Sequence, residues 1–168
     1  MWIFDATPLI YLGKANALSH LTALESPRFI PERVYDEVVT KGLDHDYPDA
    51  RRIEQQVEAG TYDVVTVEET TLFDRLRRNP NLSEADIAVL VLAAGRDATA
   101  VMDEQYGRDV AETEGIPTRG TAYLLLSLVK HGVITTDEAR ATIDEMIEHG
   151  WYCAPNLYAQ IVAKLDTL

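Results

Sequence analysis

Eight consecutive apolar residues, Ile87 to Ala94, follow the tetrad Ser83-Glu84-Ala85-Asp86. That tetrad is a capping-box pattern. The Ser83 hydroxyl and the acid three residues on can each satisfy a backbone N–H at the other's position, so a helix starts there. Gly95 is its predicted end. A helix that is apolar on every side has no face to offer water and has to be covered on more than one side. A layered fold provides such cover.

The rest of the chain supplies the layers. Short apolar or β-branched runs predict strands at Trp2–Phe4, Arg28–Ile30, Tyr62–Val67, Thr99–Met102 and Ile116–Pro117. Between them lie predicted helices. The first is capped by Thr7 with Pro8 in its first position, a short one covers Leu18–Leu24, and others run from Pro31 to Gly42 and from Pro48 to Gly60. A weak helix covers Leu72–Leu76, followed by Glu104–Glu114, Thr121–Lys130, Thr136–His149 with Thr136 as its cap, and a last helix opened by Pro155. Strands that alternate with helices imply an α/β fold with a mainly parallel sheet between helical layers. With 168 residues, 46% of them hydrophobic, and no linker or repeat, residues 1–168 read as a single domain with a sizeable core.

The charge balance narrows the setting. There are 28 acids against 15 bases, a net charge of −13, and the only lysines are Lys14, Lys41, Lys130 and Lys164. Such a surface suits molar salt, where the Debye length falls to roughly 3 Å and self-repulsion is screened. A halophilic source is therefore expected. A lone cysteine, Cys153, excludes a disulfide framework and points to a cytoplasmic setting. No apolar run reaches the roughly 18 to 20 residues that span a bilayer, so no membrane partner is expected. Met1-Trp2-Ile3-Phe4 runs into Asp5 without the basic start of a signal peptide. The basic clusters Arg51-Arg52 and Arg75, Arg77-Arg78 read first as solvated helix faces, with contacts to RNA or to an acidic partner as the alternative. His20, His45, His131 and His149 show no zinc-ligand spacing, and no Gly-rich loop fits a dinucleotide or P-loop pattern.

A few acids occupy special places. In an open parallel sheet, ligands bind beyond the carboxyl ends of the strands. Asp5 follows the first predicted strand directly and Asp103 follows the fourth. A carboxylate there is partly desolvated and needs a partner, which a divalent cation supplies; a helix cap or an arginine pair would serve as well. Glu84 opens the central helix, and Glu37 lies on the helix after the second strand. Asp36 and Glu37 flank the apolar face of their helix about equally, so periodicity does not choose between them. Asp86 competes with Glu84. The two are roughly 160° apart around the helix, too far to share one ion, and Asp86 already has a place in the capping box, which favours Glu84.

These residues resemble a known family in their order along the chain. The motifs are Asp5-x-Thr7-Pro8-Leu9-Ile10, Pro31-x-x-Val34-x-x-Glu37-Val38, Ser83-Glu84-Ala85, Asp103-Glu104-x-x-x-Arg108-x-Val110-Ala111, and Gly120-Thr121 before Leu124-Leu125. The set is similar to a PIN domain of the VapC-like kind, over nearly the whole chain. The resemblance implies a three-layer α/β/α sandwich and a divalent-metal-dependent nuclease, usually an endoribonuclease. It implies four acidic positions, matched here by Asp5, Glu37, Glu84 and Asp103, with Asp86 as second choice for the third. It also implies a homodimer and, where the protein is the toxin of a toxin–antitoxin pair, an antitoxin protein.

The chemistry follows from those acids. Mg2+ or Mn2+ prefers oxygen ligands and keeps open water positions, which suits phosphodiester hydrolysis of an RNA substrate. Asp5, Asp103 and Glu84 would be ligands, and Glu37 would complete the shell or accept a proton from the attacking water. Thr7, Thr121 and Arg108 are candidates for holding substrate: hydroxyls for the phosphate or the carboxylates, and a guanidinium for the phosphate. The plainer readings are a helix cap for Thr7 and a helical ion pair with Glu104 or Glu112 for Arg108. Two other classes compete. One is a non-catalytic module of the same fold that binds RNA or protein. The other is a haloacid-dehalogenase-type phosphatase, which Ile3-Phe4-Asp5 resembles, although Ala6-Thr7 lacks that family's second Asp.

Overall fold

The structure is a computed structural model and describes residues 1–168. In chain order the elements are β1 (Trp2–Phe4), α1 (Ala6–Lys14), a 3-10 turn (Leu18–Ala23), β2 (Arg28–Pro31), α2 (Glu32–Tyr35), a π-helical turn (Asp36–Thr40), α3 (Lys41–Asp44), α4 (Pro48–Glu58) and β3 (Asp63–Val65). Then follow α5 (Thr71–Arg77), α6 (Glu84–Arg96), β4 (Thr99–Val101), α7 (Gln105–Thr113), β5 (Thr118–Arg119), α8 (Thr121–Lys130), α9 (Thr136–Glu148) and α10 (Pro155–Leu165). The sheet order is β3-β2-β1-β4-β5 and every pairing is parallel. Helices cover both faces, so the fold is the three-layer α/β/α sandwich.

Helix α6 is the central pillar. Its residues from Ile87 to Ala93 are all buried, because β1, β2 and β4 lie on one side of it and α2 and α5 on others. The capping box forms as the sequence predicts, with Ser83 Oγ accepting from Asp86 N and Asp86 Oδ2 accepting from Ser83 N. The helix runs one residue past Gly95, and Asp97 closes it in a left-handed conformation, φ 51°. On the opposite side of the sheet, α1 packs on α4 and α9, and α8 on α9 and α10. One continuous core joins these layers, from Ile3 and Phe4 in β1 to Ile161 and Leu165 in α10.

Several predicted boundaries move for identifiable reasons. Helix α1 starts at Ala6 and is capped by Asp5, not Thr7. Pro8 therefore sits in the third helical position, where its missing N–H would have had no intrahelical partner anyway. Thr135, not Thr136, caps α9 through a capping box with Glu138. The helix after β2 continues past Gly42 to Asp44 and is interrupted by the π-helical turn. Strand β3 is shorter than Tyr62–Val67, and Tyr62 instead turns into the core against Phe4. Strand β5 lies at Thr118–Arg119 rather than Ile116–Pro117, since Pro117 can offer only its carbonyl, which accepts from Ala100 N.

The topology fixes where a site can be. The chain leaves β1 towards β2 on one side and returns through β4 on the other, so the sheet reverses order between β1 and β4. Phe4 lies opposite Val101 and Asp5 N donates to Val101 O at 3.1 Å. The carboxyl ends of the two central strands are thereby level, which is where such sheets bind ligands.

Candidate active site

Asp5 occupies this switch point. It is 4% exposed, and its Oδ1 accepts from Ala6 N at 2.8 Å, which leaves Oδ2 without a protein donor. Its pKa is pushed up from 3.8 to about 7. Burial is the largest cause, followed by the negative charge of Asp86, with Glu104 and Glu37 adding to it; the Ala6 N–H pulls the other way. Asp5 thus lies within the field of three further acids from three different elements. None of Asp5, Glu37, Asp86 or Glu104 is ion-paired with a basic side chain. No three His, Cys, Asp or Glu side chains already stand close enough to hold a metal ion. The acids reach Asp5 at electrostatic range rather than coordination range.

The geometry sorts the candidates for the third acid. Glu84 is exposed and committed elsewhere: its Oε1 accepts from Arg77 Nε at 3.0 Å and its Oε2 lies 3.5 Å from Arg33 Nε. Arg33 and Arg77 also share Glu69, each at 2.8 Å, and stack on the Phe73 ring at 4.6 and 4.9 Å. These two guanidiniums hold the Glu69 carboxyl below the usual range. The acid of this turn whose charge reaches Asp5 is Asp86. Its capping bond to Ser83 N uses Oδ2 and leaves Oδ1. Of Asp36 and Glu37, the one felt by Asp5 is Glu37, while Asp36 accepts from Thr40 Oγ1 within the π-helical turn.

Asp103 and Glu104 follow β4 but have different surroundings. Asp103 is tied three times: Oδ1 accepts from Thr121 N at 2.7 Å, and Oδ2 accepts from Thr121 Oγ1 at 2.8 Å and Trp151 Nε1 at 3.1 Å. A carboxylate has about four acceptor sites, so one remains, on Oδ1. Thr121 is fully buried and donates both its N–H and its hydroxyl to Asp103, the carboxylate of the two partners the sequence offered for it. Glu104 is the N-cap residue of α7, yet its side chain makes no capping bond, and it is exposed. These roles cannot be separated by local pattern, because the bonds to Trp151 and Thr121 join residues far apart in the chain.

Thr7, Asp103, Glu104 and Arg108 line one cleft of about 1020 Å³ beside these acids. Arg108 is half-buried and forms no ion pair, with Glu104 and Glu112 included. A Cβ on Gly120 would lie 3.2 Å from Asp103 Oδ1 and 3.3 Å from Arg108 Nη1, so a larger residue there would crowd both side chains. Of the basic clusters singled out in the sequence, all but the exposed Arg78 are engaged within the fold. Arg51 pairs with Asp46, Arg52 donates to the carbonyls of Gly13 and Lys14, and Arg75 forms a two-armed bond to Glu114.

A five-stranded parallel sheet covered by helices on both faces, with a buried acid at its switch point, is an α/β/α sandwich. The chain belongs to the PIN-domain family: a family model described as a PIN domain matches residues 1–167. No curated protein and no solved structure matches it.

Proposed function

We propose that the protein is a divalent-metal-dependent endoribonuclease that hydrolyses RNA phosphodiester bonds at the β1–β4 edge. The observation that carries this reading is Asp5: a buried carboxylate raised by burial and by three acids, with no basic side chain to offset them. That donor set suits Mg2+ or Mn2+, which when bound supplies positive charge to the phosphate and a water of lowered pKa. Asp5 and Asp86 each have one oxygen anchored on backbone and one without a protein donor, which would be available to the ion. Glu104 and the remaining site of Asp103 would approach from the β4 side. Glu37 would accept the proton as water adds to phosphorus and the ester oxygen leaves. Arg108 would hold a phosphate oxygen in the cleft, with Thr7 beside it.

The motif resemblance extends the proposal to a VapC-like toxin that forms a homodimer and meets an antitoxin protein in the cytoplasm of a halophilic cell. The test is cleavage of a mixed RNA pool in high KCl with Mg2+ or Mn2+, by wild type, Asp5→Asn and Asp86→Asn. Cleavage by wild type and strong loss in both variants is the expected result. Equal cleavage by all three overturns the assignment. RNA retained without cleavage would indicate the non-catalytic module, and phosphate released from a simple monoester the phosphatase.

A further inference from the structure

Every donor that reaches the Asp103 carboxylate is neutral. Thr121 supplies its N–H and its hydroxyl, and Trp151 supplies its Nε1–H. No basic side chain lies within ion-pair distance of Asp103. Glu84 is the contrast, since Arg33 and Arg77 offset its charge. A guanidinium fixes a carboxylate and cancels its charge, whereas a neutral N–H fixes it and leaves the charge for a cation. The indole comes from the connection between α9 and α10, 48 residues further along the chain. Its approach is pinned from both sides. Trp151 N donates to Met146 O at 2.9 Å, and the Tyr11 hydroxyl donates to the Gly150 carbonyl at 3.3 Å. Gly150 has φ 105°, which a residue with a Cβ rarely adopts, so the turn that aims the indole depends on glycine. Trp151 is 5% exposed, and a buried indole N–H needs an acceptor. A backbone carbonyl would meet that need. A carboxylate costs far more to desolvate, so the pairing is explained by what Asp103 gains from it.

We infer that Trp151 is a positioning residue for the cation site: its indole N–H closes Oδ2 of Asp103 and holds the carboxylate so that Oδ1 presents the one acceptor site left. The inference rests on the proposed cation site and adds to it a residue that does not touch the ion. The count of lone pairs carries it. Thr121 Oγ1 and Trp151 Nε1 together fill both acceptor sites of Oδ2, while Thr121 N takes one of the two on Oδ1. Without the indole, Oδ2 would keep an open acceptor site and only Thr121 would hold the carboxylate. Partners that orient metal-binding side chains in this way typically change metal affinity by about ten- to a hundredfold when removed.

The test reads metal binding, so that it is separable from catalysis. The probe is Mn2+ alone, titrated into the full chain in high KCl without RNA, with free Mn2+ read by electron paramagnetic resonance. The site that counts is the one lost in Asp5→Asn, which sets it apart from weak binding at surface acids. Trp151→Phe should weaken that site roughly tenfold or more. Replacing the Trp151 indole by the isosteric benzothiophene, which keeps the double ring and lacks the N–H, should weaken it to the same degree. Leu90→Ala, a destabilising change in the core, should leave it within about twofold of wild type at temperatures where the variant is folded. Circular dichroism confirms the fold of each variant. Mn2+ affinity within about twofold of wild type in both Trp151 variants overturns the inference and leaves the nuclease reading standing. Loss in Trp151→Phe without loss in the benzothiophene variant assigns Trp151 to packing and overturns it as well. A wild type with no Asp5-dependent Mn2+ site removes both the inference and the site it rests on. Mn2+ binding that depends on the indole N–H, in a protein that cleaves no RNA, upholds the inference and removes the nuclease.

Discussion

Asp5→Asn should make the metal-free protein more stable while removing its activity. The side chain is buried, and ionising it in the fold means moving its pKa from 3.8 to about 7, a penalty on the order of 4 kcal/mol. The sign follows from proton linkage. The folded state holds its proton at pH values where the unfolded state has lost it. This contribution is therefore fully present below pH 3.8 and is lost as pH rises through about 7. Asparagine carries no charge at any of these pH values and keeps an oxygen for the Ala6 N–H, so the helix cap survives. Urea unfolding in EDTA, at about pH 4 and about pH 8, gives the difference between variant and wild type at each pH. The advantage of the variant should grow across that interval, up to the same order of 4 kcal/mol. Taking differences between variants cancels Glu69 and Glu138, whose lowered pKa values act in the opposite sense at lower pH. A variant less stable than wild type at about pH 8, or an advantage that does not change with pH, would refute the electrostatic account of the site.

Other consequences can be measured directly. Asp86→Asn should reduce metal-dependent RNA cleavage by roughly a hundredfold or more, while Glu84→Gln should retain most of it, since Glu84 is held by Arg33 and Arg77. Trp151→Phe removes the Nε1–H donor to Asp103 and should cost about 1.5–3 kcal/mol in chemical denaturation, the usual worth of a hydrogen bond to a charged group. Leu90→Ala, at a fully buried position of α6, should cost about 2–5 kcal/mol in the same assay, with no specific effect on cleavage at temperatures where the variant is folded.

How far the sequence determines these features can be seen residue by residue. The apolar faces of α6 and the alternation of strands and helices specify the layers, because burial patterns are local. Asp5 and Asp103 are legible as strand-end acids for the same reason. Which of Glu84 and Asp86 acts on Asp5 is not legible in this way. The divergence of Glu84 and Asp86 around the helix is real, but which one faces Asp5 depends on Arg33 and Arg77, which approach Glu84 from α2 and α5. Membership of a capping box also does not consume a carboxylate, since Asp86 gives up only Oδ2. Glu37 sits in a π-helical turn, where a regular 3.6-residue wheel no longer assigns faces. Trp151 lies in a segment with no motif of its own, and only the packing of α9 and α10 beside α8 brings it to Asp103.

The claim that these acids form a cation site is tested most directly by the anomalous difference map of an Mn2+-soaked crystal. The account predicts a peak beside Oδ2 of Asp5, facing Asp86, that disappears in Asp5→Asn crystals soaked in the same way. A map with no peak at the β1–β4 edge, or with Mn2+ bound only at exposed acids elsewhere, would contradict it.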